Sequence, residues 1–372
     1  MYQRPAILIG LLLMAGLVAV AAPGDDAPQW LREAAAIKVP TYDKKVTAVV
    51  LVDDSTVTVG ENGLINTTWT YAIRVLTTEG RDVAIASVGY ETDMDKVKDF
   101  HAWLIRPSGQ VKAYGKDQTI DQTDLNDVYD ESRVKRIVAA SEAEPGSVFG
   151  YQTTTETRPY FYQSTWYFQD TAPVISSRLT VVVPAGWQTK SVTFNHEEVQ
   201  PTVSGTTYTW ELRDIPPLEV EPLSPAMTNL VPRLAVKYFP TEAAKNPGVR
   251  PFETWTDVSR WYSELSDAQA TPDERIAAKA RELTSGATTE FEKIRAIGRY
   301  VQNIQYISIQ IGVGRWRPHL ASDVLAKSYD FSIARIRFAL SLQSPYDFAN
   351  TSEARWGRQR PTPIWMEMYW MF

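Results

Sequence analysis

Residues 300–329 have a layout that could present a reactive group for catalysis. They are predicted to form the end of an amphipathic helix, a strand, a glycine-containing turn and the start of another helix. Backbone N–H groups and the dipole at a helix N-terminus stabilise an anion, so a nucleophile placed there has a lowered pKa. A reactive side chain delivered to this position would therefore be easily activated. The chain contains no cysteine, and we therefore expect an incomplete enzyme.

A serine and a histidine close to this stretch are the remaining candidates for catalysis. Ser332 lies just beyond it and His319 lies in its turn. A serine nucleophile needs a general base within hydrogen-bond reach, whereas a serine near a helix start usually caps the helix. His319 is better interpreted as a structural or site-rim residue. We assign no catalytic residue.

A series of acidic residues could in principle bind calcium. Asp117, Asp121, Asp124, Asp127 and Asp130 recur at intervals of three or four residues. The order of ligands and the glycine of a calcium-binding EF-hand loop are missing, so a solvated acidic face is the better interpretation. We predict no metal ligand and no cofactor-binding residue.

Two groups of aromatic residues, at 160–162 and 166–168, could form a stacking platform for a sugar or a peptide. Strand alternation places Trp166 and Phe168 on one sheet face and Tyr167 on the other. Aromatic residues dominate protein cores, so packing explains at least half of the group.

The elements around these residues change from strands to helices along the chain. Between about residues 45 and 210, β-branched runs alternate with turn signals, which favours an antiparallel sandwich or a curved sheet. The predicted strands include residues 46–52, 57–59, 67–76, 100–105, 148–157, 163–169, 177–183 and 206–212. Closely spaced prolines then predict an extended linker over 216–250, because proline fixes φ and removes a hydrogen-bond donor.

Three amphipathic helices follow the linker, at about 254–265, 271–286 and 289–304. Thr271 with Glu274, and Thr289 with Glu292, have the spacing of N-terminal capping boxes. An alternating strand is predicted from Tyr306 onward, and Ser322–Asp323 is predicted to cap a helix that reaches Tyr329.

Composition restricts the class of protein and its location. The net charge of −6 argues against nucleic acid as a partner, which requires clustered basic residues. Arg4, an apolar run and a small-residue end predict a secretory signal peptide over 1–22, with an uncleaved membrane anchor as the alternative. We therefore expect a periplasmic or secreted protein that contacts the membrane only through that leader.

The β-rich part resembles the bacterial family of domains of unknown function DUF3857. The resemblance rests on the GSVFGY sequence of residues 146–151 and on residues 165–187, which contain a Phe-x-x-x-x-Pro-Val pattern. In that family a transglutaminase-like domain usually follows, and residues 254–262 and 306–329 look like its first half. The resemblance implies an α+β protein. It has an antiparallel β-sandwich-like domain at 45–215 and a partial transglutaminase-like, papain-like α+β domain at 251–329.

The resemblance stops where the family's catalytic motif should begin. The family continues into Gly-Asp-Cys-Lys-Asp, whose cysteine would work with a downstream histidine and aspartate, whereas this chain continues as Asp330-Phe331-Ser332-Ile333. Residues 330–372 form a divergent tail, rich in aromatic residues and without lysine. The hypothesis is a shift of reading frame after residue 329. It is abandoned if no frame of the downstream DNA encodes a similar motif.

Two functions remain open at this stage. The first is a non-catalytic exported protein whose β-domain is an interaction module for a cell-envelope protein or glycan. The second is a cell-envelope cysteine peptidase or acyl transferase of the transglutaminase-like type, which would require the missing cysteine, histidine and aspartate.

Overall fold

The computed structural model describes residues 26–123, 132–219, 221–241, 252, 254–306, 319–327 and 329–330. The predicted signal peptide and the tail from 331 onward lie outside these residues. None of the described helices combines the length and apolar character that a membrane span requires.

An eight-stranded sheet forms the centre of the molecule. Its strand order is β12-β13-β10-β1-β2-β8-β4-β5. These strands span Ala48–Val59 (β1), Ile65–Val75 (β2), Asp95–Ile105 (β4), Val111–Tyr114 (β5), Val148–Thr157 (β8), Val174–Val182 (β10), Thr202–Ser204 (β12) and Thr207–Ile215 (β13). The β-branched runs of the sequence predicted most of these strands, and the two runs at 46–52 and 57–59 form the single strand β1.

One neighbouring pair in this sheet is parallel. β1 pairs with β10 in parallel, with Asp53 opposite Ser177, whereas β1 and β2 are antiparallel. The predicted antiparallel arrangement therefore has an exception at the sheet centre. The parallel neighbours are far apart in sequence, and no local pattern reports such a pairing.

Two three-stranded sheets cover one face of the central sheet. The first has the order β11-β14-β9 and the second β3-β7-β6. Their strands are Ile85–Glu91 (β3), Ile120–Thr123 (β6), Ser132–Val138 (β7), Gln163–Tyr167 (β9), Trp187–Phe194 (β11) and Arg233–Pro240 (β14). A continuous apolar core joins the layers; it includes Phe149, Leu179, Trp210, Leu234 and Ile137.

Helix α1, at Gln29–Ala36, packs on the opposite face of the central sheet. Leu31 and Ala34 are buried there against Val49 and Leu51 of β1. Side chains of β1 therefore pack on both faces of the sheet, as expected for a strand buried on both sides.

Strand β14 corrects the prediction of a linker over 216–250. Residues 233–240 form the middle strand of a covering sheet, between β11 and β9. Leu234, Val236 and Tyr238 are buried in the main core. The closely spaced prolines immediately before this strand predicted an extended linker, and that prediction was carried over the alternating residues that follow them.

The helices after the strands follow their capping signals, with exceptions at Thr271 and at Ser322–Asp323. They are α2 at Trp255–Asp267, α3 at Glu274–Thr284, α4 at Glu290–Gln302 and α5 at Ala321–Lys327. Thr289 and Glu292 form the predicted capping box. The N-cap of α3 is Asp273, whose carboxylate accepts from the Ile276 N–H at 2.9 Å, so the predicted cap at Thr271 is wrong.

The helices divide into two separate apolar clusters. Val258 and Trp261 of α2 pack with Phe252 and with Tyr160 and Phe161 of the β8–β9 connection. Helices α3, α4 and α5 share another cluster, which includes Ile276, Ile297 and Val324. Helix α2 therefore packs on the β-rich part.

The fold class is α+β with a large multi-strand β-sheet domain, as predicted at that level. The layered arrangement of the three sheets is sandwich-like, but with one parallel pair.

Candidate functional site

The predicted strand, turn and helix are described only at their ends. β15 is Gln305–Tyr306 and β16 is Tyr329–Asp330; the two pair in parallel. Residues 307–318 and Ser332 lie outside the described residues. His319 is half-buried and comes two residues before α5.

The start of α5 differs from the prediction at Ser322–Asp323. The Leu320 carbonyl accepts from the N–H groups of Asp323 and Val324, at 2.9 and 3.1 Å. Ser322 therefore lies within the first turn of α5 and does not cap it.

The aromatic residues singled out in the sequence have three different environments. Phe168 and Trp166 contribute to the core between the sheets, while Tyr167 is 39% exposed, as strand alternation predicted. Tyr160 and Phe161 contact α2. They do not form one continuous platform.

A cleft of about 360 Å³ lies where the β8–β9 connection meets α2. Its walls include Tyr160, Tyr162, Phe252, Trp261, Glu264 and Leu265. This volume falls within the range of about 300–1,000 Å³ that is usual for small-molecule sites. The cleft is the candidate functional site.

Trp261 is the centre of one wall. Its ring centroid is 4.9 Å from that of Phe161, 5.6 Å from Phe252 and 5.9 Å from Tyr160. Trp261 is only 8% exposed, so neighbouring rings occupy most of its faces. Lys237 donates to the Phe252 carbonyl at 3.1 Å and fastens this wall to β14.

Tyr162 holds the opposite wall in place. Its hydroxyl donates to the Gly63 carbonyl at 3.0 Å. Its ring makes edge contacts with Trp187 and Tyr238 at centroid distances of 5.1 and 6.2 Å. Burial raises the pKa of the Tyr162 phenol, so this hydroxyl remains a donor at neutral pH.

The lining of the cleft is mostly apolar, with one carboxylate among the named residues. Aromatic and aliphatic surface dominates the walls, and Glu264 supplies a carboxylate. The named wall residues include neither a histidine nor a serine.

The acidic series is only partly described. Asp121 accepts from the Tyr90 hydroxyl and forms ion pairs with Arg133 and Lys135 at 3.0 and 3.2 Å. These contacts lower the pKa of its carboxyl despite partial burial. Asp124, Asp127 and Asp130 lie outside the described residues. Within the described ranges, no three acidic or histidine side chains are close enough to hold a metal ion.

Sequence reasoning missed a buried carboxyl at Asp53. It lies on the inner face of β1, 9% exposed, and the indole N–H of Trp69 donates to it at 2.7 Å. Burial raises the pKa of Asp53 to about 7. An irregularity between Val50 and Val52 shifts the register of β1 with β2. Because of this shift, simple alternation along β1 does not predict that the Asp53 side chain faces the core.

Residues 61–219 match the family model described as a domain of unknown function with a solved structure, DUF3857. This region runs from the β1–β2 turn past the end of β13. The match therefore covers most of the central sheet but ends before β14 and the helices.

The solved structures show where a similar fold occurs. A candidate protease from Parabacteroides distasonis superposes with a TM-score of 0.61 at 14% identity, over 80% of this chain and 58% of that protein. This chain thus spans less than two thirds of that protein, and the likeness shows the fold alone. An M1 zinc metallopeptidase from Deinococcus radiodurans reaches a TM-score of only 0.27, at 12% identity and with 59% and 53% of the two chains covered. That value is too low to support an argument.

No curated protein sequence gives a significant match. Residues 61–219 therefore resemble DUF3857 domains, and the superposition shows a similar fold.

Proposed function

We propose that this protein is a non-catalytic, exported protein of the bacterial cell envelope whose β-rich domain, together with α2, is an interaction module. The partner is a protein segment of the envelope that inserts an apolar side chain into the cleft at Tyr160 and Trp261. The cleft of about 360 Å³ is the observation that supports this function.

The geometry of the rings favours a peptide over a glycan. Sugars stack on an open aromatic face, whereas Trp261 is surrounded by other rings and is 8% exposed. Tyr160 and Tyr162 are only half-buried, and Leu265 of α2 adds aliphatic surface to the cleft. An apolar side chain matches these walls, because burial of apolar surface drives such association.

The second candidate function is acyl transfer or peptide hydrolysis by a transglutaminase-like part. The structural relative described as a candidate protease is the observation that favours it. This chain contains no cysteine for the thioester chemistry that the transglutaminase-like resemblance implies. Acyl transfer is therefore the alternative.

A titration tests the binding function directly. Purified full-length protein is titrated with N-acetyl-phenylalanine amide and, in parallel, with chitin oligosaccharides, while tryptophan fluorescence is followed. We expect a saturable change with the amide, loss of it in Tyr160→Ala, and retention in Tyr167→Ala, which removes an exposed tyrosine outside the cleft. Saturation by the oligosaccharide alone would identify a glycan module instead, and saturation that survives Tyr160→Ala would remove the cleft from the proposal.

The non-catalytic part has its own test. The same preparation is incubated with a casein substrate and with a fluorescent amine as acyl acceptor. We expect neither cleavage nor amine incorporation above a heat-denatured control. Turnover of either substrate would favour the alternative.

A further inference from the structure

The buried carboxyl of Asp53 lies between two layers of the sandwich. On the central sheet its neighbours in register are Ser177 of β10 and Tyr71 of β2. Its hydrogen bond within the described part of the chain comes from Trp69, at 2.7 Å. A buried carboxylate normally needs several donors or a cation, and among the described residues Asp53 has one neutral donor.

A strand of the covering sheet rests on this position. Trp166 of β9 donates its indole N–H to the Ser177 hydroxyl at 3.1 Å. Its ring meets the Trp69 ring edge-on, at a centroid distance of 6.5 Å. The two indoles thus bring β9 against the neighbouring pair Asp53 and Ser177.

The charged groups around Asp53 do not compensate an anion. Tyr71 of β2 is a half-buried phenol and Tyr151 of β8 is a buried one, and the Asp170 carboxylate after β9 acts on Tyr71. Asp54 is acidic too and lies on the other face of β1. There it forms an ion pair with Arg178 of β10, so this cation is paired with Asp54. Burial raises the pKa of Asp53 to about 7, the Trp69 hydrogen bond opposes the rise, and Asp54 adds to it.

We propose that Asp53 is a pH-sensitive latch beneath the β9 strand. When its carboxyl is neutral, β9 packs closed on the central sheet. When it is ionised, the layers separate locally at Trp166 and Ser177 so that water reaches the carboxylate. The β8–β9 connection, which carries Tyr160 and Tyr162, is directly continuous with β9, and it loosens with it. The latch does not depend on the identity of any ligand of the cleft.

The direction of the effect follows from proton linkage. The closed state binds the Asp53 proton more tightly than an open, hydrated state in which the carboxyl has its ordinary pKa of about 4. The closed state is therefore favoured in acid. Its advantage decreases as the pH rises from about 4 and levels off above about 7.

Amide hydrogen exchange on the full-length protein tests the latch. Protection of the β9 amides, corrected for the intrinsic exchange rate, is measured from pH 5 to pH 8. We expect it to fall roughly fifty- to a hundredfold, the ratio that proton linkage gives for a carboxyl shifted from about 4 to about 7. Asp53→Asn should remove this dependence. Asp54→Asn, which removes the adjacent carboxylate on the other face, should retain it.

A second variant keeps the test decisive if Asp53→Asn does not fold. Trp69→Phe removes the donor that favours the ionised form, so the midpoint of the change should move to higher pH. Equal pH profiles in the wild type and Asp53→Asn would overturn the latch. A flat wild-type profile, or an unchanged midpoint in Trp69→Phe, would overturn it as well.

Discussion

Gly150 of β8 lies directly beneath Leu31 of α1. A Cβ atom on Gly150 would overlap the Leu31 side chain and come within 3.1 Å of the Trp30 ring. The glycine therefore lets the helix approach the central sheet closely. This contact attaches α1 to the centre of the molecule.

Gly150→Ala should destabilise the protein by about 1–3 kcal/mol, because it forces an extra methyl group into a packed interface. Urea unfolding followed by circular dichroism measures the change. Gly89→Ala is the matched control, since a Cβ there meets only a backbone oxygen at 4.0 Å. In a Leu31→Ala background the cost of Gly150→Ala should shrink; an unchanged cost would show that the overlap with Leu31 is not its cause.

Trp261→Ala should detach α2 and leave α3, α4 and α5 packed. Large-to-small substitution of a buried tryptophan costs about 3–5 kcal/mol, and Trp261 belongs to the cluster with Phe161 and Phe252. Ile297→Ala should have the converse effect, because Ile297 lies in the cluster of α3–α5. Hydrogen exchange with peptide resolution distinguishes the two. Loss of protection in both clusters from either variant would contradict their separation.

Tyr162→Phe should cost about 1 kcal/mol, the usual net contribution of one neutral hydrogen bond. The variant removes the hydroxyl that donates to Gly63 and keeps the ring contacts with Trp187. Thermal unfolding measures the loss, and Tyr167→Phe on the exposed side of β9 is the control. A loss of the same size in the control would mean that the hydrogen bond to Gly63 contributes nothing.

The N-terminus of α4 should become less stable in acid. Glu292 accepts from the Thr288 N–H at 2.8 Å, from the Thr288 hydroxyl and from the Thr289 N–H, and these contacts lower the pKa of its carboxyl to about 2. A lowered pKa in the folded state means that the stabilisation is complete above about pH 4.5. It is lost as the pH falls towards 2.

Exchange protection of the first α4 amides from pH 2.5 to pH 6 tests this expectation. Protection should fall with pH in the wild type and change little in Glu292→Ala. Glu290→Ala, in the same helical turn, should retain the wild-type profile. If Glu292→Ala retains that profile too, another group titrates.

Local signals predicted the local parts of this fold. β8 begins and ends at the predicted residues, 148 and 157, and the capping box of Thr289 and Glu292 gave the start of α4. The hydrogen bonds of a capping box join residues three positions apart, so a short stretch of sequence is enough to predict them.

The parts that could not be predicted depend on distant residues. Asp53 is buried because β10 pairs beside it and β9 packs over this pair, and neither strand is close to it in sequence. Phe252 and Trp261 line the cleft only because the β8–β9 connection brings Phe161 and Tyr160 to them. The alternation of Trp166, Tyr167 and Phe168 was predicted correctly. The sequence could not show which of the two strand faces would pack on the central sheet and which would face solvent.

The parallel pairing of β1 with β10 has a consequence for how the molecule forms. Arg178 of β10 and its partner Asp54 of β1 are 124 residues apart in the chain. Closing so long a loop is costly, and folds dominated by such distant pairings form slowly. During synthesis β1 can pair with β2 soon after both have emerged, whereas β10 emerges much later. The edge of β1 that will meet β10 stays open until then, and open strand edges are prone to aggregation. We therefore expect the emerging chain to require protection until residue 182 has left the ribosome.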